Sequence, residues 1–245
     1  MGGPVDEYAF LDPLYRRWQR RVAVTREDKA AIAALPWSER TYARDSYLVR
    51  EGEPATVCML LIKGFAYRQK LVSDGARQII SIHIAGEFLD FQNILLGVAD
   101  HNVQCLTRCI VSVIHKSALL DLIAERPNVR RALWLDSLID SSIFREWVVN
   151  VGRRDARQRI AHLLCELADR IKSSGIADEQ PYDFPLTQEQ IADCTGLTAV
   201  HTNRTLQGLR RDGLISLSAS RLAILDWDRL TEIGDFNERY LHHSV

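Results

Sequence analysis

Apolar and polar residues follow two different rhythms along the chain. Between Tyr47 and Val113, short apolar runs (Val57 to Ile62, Gln78 to Ile84, Cys109 to Ile114) are parted by turn residues. Glycines stand at 52, 64, 75, 86 and 97, a spacing of eleven or twelve. Turn signals at that interval are what short antiparallel strands of a sandwich or roll produce. Glycine supplies the positive φ of tight turns, most plainly in Ser73-Asp74-Gly75. The pattern predicts a double-sheet, jelly-roll-like β-roll. A helical stretch from Arg16 to Leu35, stopped at Pro36, precedes it, and another from Lys116 to Arg126, stopped at Pro127, follows.

The second rhythm is helical. From about Asn128 to Val151, Val129, Ala132, Leu135, Ile139, Ile143, Trp147 and Val151 step by threes and fours. Leu133, Leu138, Phe144 and Val148 widen the stripe beyond what one contact would bury. The expectation is a dimerisation helix that packs both on its own domain and on a second copy of itself. Gly152 is suited to end it, and Asp155 to cap a helix from Ala156 to Lys172. A hinge is therefore placed near residue 153. The class is α+β, with a sensor-like roll over 1–127, the long helix and hinge over 128–153, and a last domain over 154–245.

That last domain reads as helix, turn-rich loop (Ser173 to Pro185), two short helices, a hairpin and a final helix. Thr187 caps a helix from Gln188, and Gln190 completes a capping box. Gly196 makes the turn, and Thr198 caps a second helix that runs through Arg211 to Gly213. Two short helices joined by a glycine-containing turn form a helix-turn-helix. The outer face of the second helix carries Val200, His201, Asn203, Arg204 and Gln207, and from Thr198 to Arg211 there are three arginines and no acid. Arg suits guanine edges, Asn and Gln suit adenine edges, and an aliphatic tip suits a thymine methyl. Thr187, Gln188 and Thr198 complete the set of candidate DNA contacts on the two helices. Around Ser218-Ala219-Ser220-Arg221 two alternating strands make a β-wing, from which Ser218 and Arg221 would reach phosphates.

Composition qualifies this picture. Of 245 residues, 47% are apolar and 26% charged, which suits an ordinary globular protein. Lys plus Arg is 31 against 32 Asp plus Glu, a net charge of −1, so a global basic excess is absent. Arginines gather locally instead, at Arg153, Arg154, Arg157 and Arg159 near the hinge and at Arg204, Arg210 and Arg211 on the second helix. Phosphates respond to that local face, within a Debye length of about 8 Å. No apolar run approaches the roughly 18 residues of a membrane span, and MGGPVDEYAF lacks the regions of a signal peptide. Five scattered cysteines complete no metal or cluster pattern. The expected location is the cytoplasm, away from membranes.

The stretch IADCTGLTAVHTNRTLQGLRRDGLI resembles the signature of the Crp/Fnr transcription regulators, and the resemblance extends over nearly the whole chain: β-roll, long helix, hinge and winged helix-turn-helix. It implies a homodimer reading a palindromic operator on double-stranded DNA, with RNA polymerase as a partner. By the resemblance Arg204 is the guanine-reading arginine, Val200 and Asn203 the variable base readers, and Thr198 and His201 phosphate contacts. A glutamate is common in the family where Val200 stands, so a different half-site is expected. Cyclic-nucleotide-binding relatives follow a Gly-Glu by a phosphate-gripping arginine. Here Gly86-Glu87 is followed by Gly97-Val98-Ala99-Asp100-His101-Asn102, and the aspartate would repel a phosphodiester. Cyclic AMP and an iron–sulfur cluster, which needs clustered N-terminal cysteines, are both argued against, and the effector is left unknown. His83, Glu87, Asp90, Asp100 and His101 are the candidate effector pocket, for a metal, haem or small polar molecule. Cys194 is the redox candidate. Two alternatives stay open: a cupin-like metal enzyme, although Ser81 stands where its first histidine belongs, and a constitutive DNA-binding regulator with no effector.

Overall fold

A computed structural model describes residues 9–177 and 179–243. The first eight residues, most of the stretch weighed above as a signal peptide, lie outside them. Contacts gather the described chain into two units, one of residues 9–68, 82–138 and 243, the other of residues 69–81 and 139–242.

The first unit opens with helices α1 (Asp12–Gln19) and α2 (Arg26–Ala33). The stretch expected as one helix is two, because Thr25 starts a new one. Its hydroxyl accepts from Asp28 N at 3.1 Å, while the Asp28 carboxylate accepts from Thr25 N at 3.0 Å. Strands β1 (Ser38–Tyr42), β2 (Tyr47–Val49), β3 (Val57–Lys63), β4 (Ala66–Leu71) and β5 (Arg77–His83) follow. Helix α3 (Phe91–Leu96), strands β6 (Asn102–Cys105) and β7 (Cys109–His115), helix α4 (Lys116–Glu125) and the long α5 (Pro127–Arg153) come next. The strands form two sheets, β1-β7-β3 and β2-β6-β4-β5. Apolar side chains from both, including Leu48, Met59, Leu61, Val103 and Val111, bury each other between them. That is the expected double-sheet roll. A second core joins Leu14, Trp18 and Ile32 to Leu60 and to Val129, Ala132 and Leu133 of α5. There Asp136 accepts from Trp18 Nε1 at 2.7 Å and pairs with Arg17 at 2.9 Å. Gly64 must be glycine, since with φ at 99° a Cβ would also stand 2.4 Å from the Arg108 carbonyl oxygen.

Helix α5 differs from expectation at its end. Gly152 lies inside the last turn, and the helix runs to Arg153. Its residues divide into two faces. Val129, Ala132, Leu133, Ile139, Ile143 and Trp147 are buried, whereas Trp134, Leu138, Phe144, Val148 and Val149 are exposed.

The second unit contains α6 (Ala156–Ser173), the short β8 (Tyr182–Asp183), α7 (Gln188–Thr195), α8 (Ala199–Arg211), strands β9 (Ile215–Ser218) and β10 (Arg221–Ile224), and α9 (Trp227–Gly234). Asp155 caps α6 as expected, accepting from Arg157 N and Gln158 N. β8 adds a third strand beside the wing, in the order β8-β10-β9. Leu163, Leu164, Leu167, Ile191, Leu206, Leu209, Leu214 and Leu230 are buried in this unit.

Candidate nucleic-acid interface

The interface is built on a short rigid pair. Thr187 and Gln190 close the capping box of α7, at 2.9 and 3.1 Å. Gly196, left-handed at φ 64°, ends that helix. Thr198 Oγ1 then accepts from His201 N at 3.2 Å and starts α8. Beneath, Ile191, Cys194, Thr195, Thr202 and Leu206 are buried, so the outward face of α8 is fixed by its inward one. On that outward face Arg204, Gln207, Arg210 and Arg211 are exposed, Asn203 and His201 are half-buried, and Val200 is 82% exposed. That exposure leaves an aliphatic tip on the outward face, the kind of group that can meet a thymine methyl. Thr187, Gln188 and Ser218 are exposed at the helix start and the wing. Ala219 and Ser220 form the wing tip, both at positive φ.

Several arginines expected to face phosphate also make contacts within the unit. Arg221 pairs with Asp183 at 2.8 Å and donates to the Pro181 carbonyl, bracing β8 against the wing. Arg154 is buried between Glu146 at 2.6 Å and Asp235 at 3.0 Å. Arg157 pairs with Asp212 at 2.7 Å and holds that carboxyl below its ordinary range. Arg159 donates to the carbonyls of Arg154 at 2.8 Å and Thr195 at 2.9 Å. A guanidinium five donors wide satisfies carbonyls at helix ends as readily as phosphates, and sequence alone does not separate the two uses. The positive face rests mainly on Arg204, Arg210 and Arg211.

Two residues of the same unit were missed. Gln78 Nε2 donates to the Asp193 carbonyl at 2.6 Å, and Arg77 Nε donates to the Asp193 carboxylate at 2.7 Å. Both groups close the C-terminal end of α7. Cys194 is wholly buried there, and burial pushes its thiol well above the usual range. A thiol held protonated out of reach of solvent is a poor oxidation site, which corrects the redox reading of Cys194.

The candidate effector residues fall into pairs. His83 Nδ1 lies 3.2 Å from Glu87, which also meets Arg17 at 3.4 Å. His101 Nδ1 lies 2.5 Å from Asp100, whose side chain is 76% exposed. Asp90 is buried and accepts from Met59 N at 3.0 Å. What links them is Arg68 of β4, unforeseen from sequence and buried, with Nη2 donating to the Leu89 carbonyl at 3.4 Å. Burial raises the Asp90 carboxyl to about 6 against the pull of Met59 N–H and Arg68. Burial, with Arg68 nearby, lowers His101 to about 4. The only sequence signal for Arg68 was a cation inside an otherwise strand-like run. His83, Asp90 and His101 thus share one buried, polar part of the roll, whereas Asp100 faces largely outward.

Comparison with known proteins agrees with this arrangement. Residues 39–126 match the cyclic nucleotide-binding domain, and residues 158–233 match the Crp-like helix-turn-helix domain. The transcriptional activator protein FnrL of Cereibacter sphaeroides is 26% identical, over 87% of this chain and 88% of its own. The nitrogen fixation regulation protein FixK of Azorhizobium caulinodans is 25% identical, over 91% of each. The structure of FixK2 from Bradyrhizobium japonicum superposes with a TM-score of 0.75 at 24% identity, covering 81% of this chain and 98% of that one. FnrL is named a transcriptional activator and FixK a regulation protein, which favours a regulator over the cupin-like reading. With a nucleotide-binding-type roll followed by a Crp-like helix-turn-helix, the chain is a DNA-binding transcription regulator of the Crp/Fnr family.

Proposed function

We propose that the protein acts in the cytoplasm as a homodimer and reads a palindromic operator through α8. In this reading 1–127 is the sensor, 128–153 the dimerisation helix and 154–245 the DNA-binding domain. The carrying observation is the outward face of α8, with Val200 82% exposed beside Arg204 and with no acid from Thr198 to Arg211. Arg204 reads guanine, Val200 meets a thymine methyl, and Asn203 and Gln207 read neighbouring edges. Thr187, Gln188, Thr198, His201 and Ser218 hold the backbone. The apolar outer face of α5 pairs with its copy and places two recognition helices about 34 Å apart, one helical turn of DNA. RNA polymerase is the further partner of the bound dimer. A small effector acts on the buried polar part of the roll around His83, Asp90 and His101, with Glu87 and Arg68 behind them. Cyclic AMP does not suit it, because Asp100 stands near the place of the phosphate-gripping arginine.

Operator selection from random duplexes followed by gel shift tests the reading. Arg204→Ala should cost about 1–3 kcal/mol of binding and relax the preference at one base pair per half-site. Unchanged affinity and selectivity in that variant would remove Arg204 as a base reader.

A further inference from the structure

The turn from α5 into α6 reads in sequence as a hinge, but its side chains fasten it. Asn150 Nδ2 donates to the Arg159 carbonyl at 3.2 Å across the turn. Arg154 ties Glu146 to Asp235, which follows α9. Deeper in, the Glu166 side chain is wholly buried in α6. Its two oxygens accept from Trp147 Nε1 of α5 at 3.1 and 3.0 Å. Tyr240, in the C-terminal turn Glu238–Leu241, donates its hydroxyl to Glu166 at 2.9 Å, and Arg170 donates at 3.2 Å. The Tyr240 ring stacks on His162, 5.8 Å between centroids, and His162 Nδ1 donates to the Gly234 carbonyl at 3.0 Å. Gly234 sits so close that a Cβ there would be 2.8 Å from His162 N. Three separate pieces of chain therefore meet on one carboxylate: the end of α5, the middle of α6 and the C-terminal segment.

A buried carboxylate is costly unless its lone pairs are filled, and bonds to a charged acceptor are strong and directional. A buried apolar contact would hold α6 against α5 without fixing its rotation, whereas this set is satisfied in one arrangement only. We infer that Glu166 is a positioning residue for DNA recognition: through Trp147 and Tyr240 it sets the angle at which α6, and the helix-turn-helix packed on it, leaves the dimerisation helix. The inference rests on the dimeric reading above. Recognition of one half-site needs only α8. A whole palindrome also needs two copies of α8 at a fixed separation, so loosening the joint should penalise the palindrome selectively.

The test uses the full-length chain and two duplexes, the selected palindrome and one carrying a single half-site. Tyr240→Phe keeps the ring and its stacking but removes the hydroxyl that bonds Glu166 and also lies 3.0 Å from His162 Nε2, whereas Trp147→Phe removes a bond to Glu166 alone. Each variant should bind the palindrome about tenfold more weakly, the loss expected for a bond to a charged group, with half-site affinity unchanged. Circular dichroism melts confirm that both variants are folded. Equal loss on both duplexes, or no loss on either, would overturn the inference while leaving the dimer in place. If the wild-type protein does not favour the palindrome over the half-site, the dimeric reading fails, and this inference fails with it.

Discussion

Thr202 lies on the inner face of the recognition helix, fully buried, and its hydroxyl has no hydrogen-bond partner among the described residues. A hydroxyl shut away from water without a partner costs about 1–3 kcal/mol. Thr202→Val keeps the shape and removes that cost. The variant should be more stable by about 1 kcal/mol, a rise in melting temperature of roughly 2–4 °C for a chain of this size. Operator affinity should not change, because Val200, Asn203 and Arg204 keep their places. A fall in melting temperature would mean that the hydroxyl is bonded. The capping residues Thr187 and Thr198 were legible because a cap is a local contact set by nearest neighbours. Arg159 and Arg221 were not, because a guanidinium reaches carbonyls or acids that lie 36 to 40 residues away in the chain.

At the scale of elements, the roll holds two titrating groups with opposite consequences. Asp90 is raised to about 6, above the usual aspartate range, mainly by burial. The native state therefore binds a proton there that the unfolded chain releases, and stability rises as pH falls from about 6 towards 4. His101 is lowered to about 4, also mainly by burial. Here the unfolded chain takes the proton first, so stability falls as pH drops from about 6.5 towards 4. Each slope is at most about 1.4 kcal/mol per pH unit, and the two oppose each other. Asp90→Asn should leave the histidine term alone and make the protein progressively less acid-stable than wild type over that window. His101→Gln should do the reverse. Urea melts at half-unit steps from pH 4.5 to 6.5 decide it, and parallel curves for all three proteins would refute the coupling. Elements with a strong period were foreseen, as α6 and β7 show. β1 was missed because Ser38-Glu39-Arg40-Thr41-Tyr42 is a largely exposed edge strand with no apolar face to announce it. β8 is two residues long and exists only through its pairing with β10. The break between α1 and α2 turned on one threonine, which an apolar period passes over.

Over the whole molecule, the near-neutral net charge of −1 argues for modest non-specific affinity, with specific binding carried by a few arginines on α8. On the dimeric reading proposed above, two recognition helices act at once, and that puts the weight on α5. Trp134, Leu138 and Val148 lie 56%, 63% and 53% exposed along one side of it, within a helical face that water would otherwise wet. Side chains spaced like this form a seam when a second copy covers them. Leu138→Asp places a charge at the middle of that seam, where the same substitution in the second copy would oppose it, without touching the buried face made by Val129, Ala132 and Ile139. Sedimentation should find the wild-type protein at twice the chain mass and the variant at the chain mass, with circular dichroism unchanged. Burying a like-charged pair costs several kcal/mol, so dimerisation should weaken by at least about a thousandfold. Palindrome binding should then fall to the level of a single half-site, because α8 is intact but its mate is no longer delivered. A variant that stays dimeric would move the seam to another face, and a monomer that still prefers the palindrome would show that the DNA, not α5, brings the two copies together.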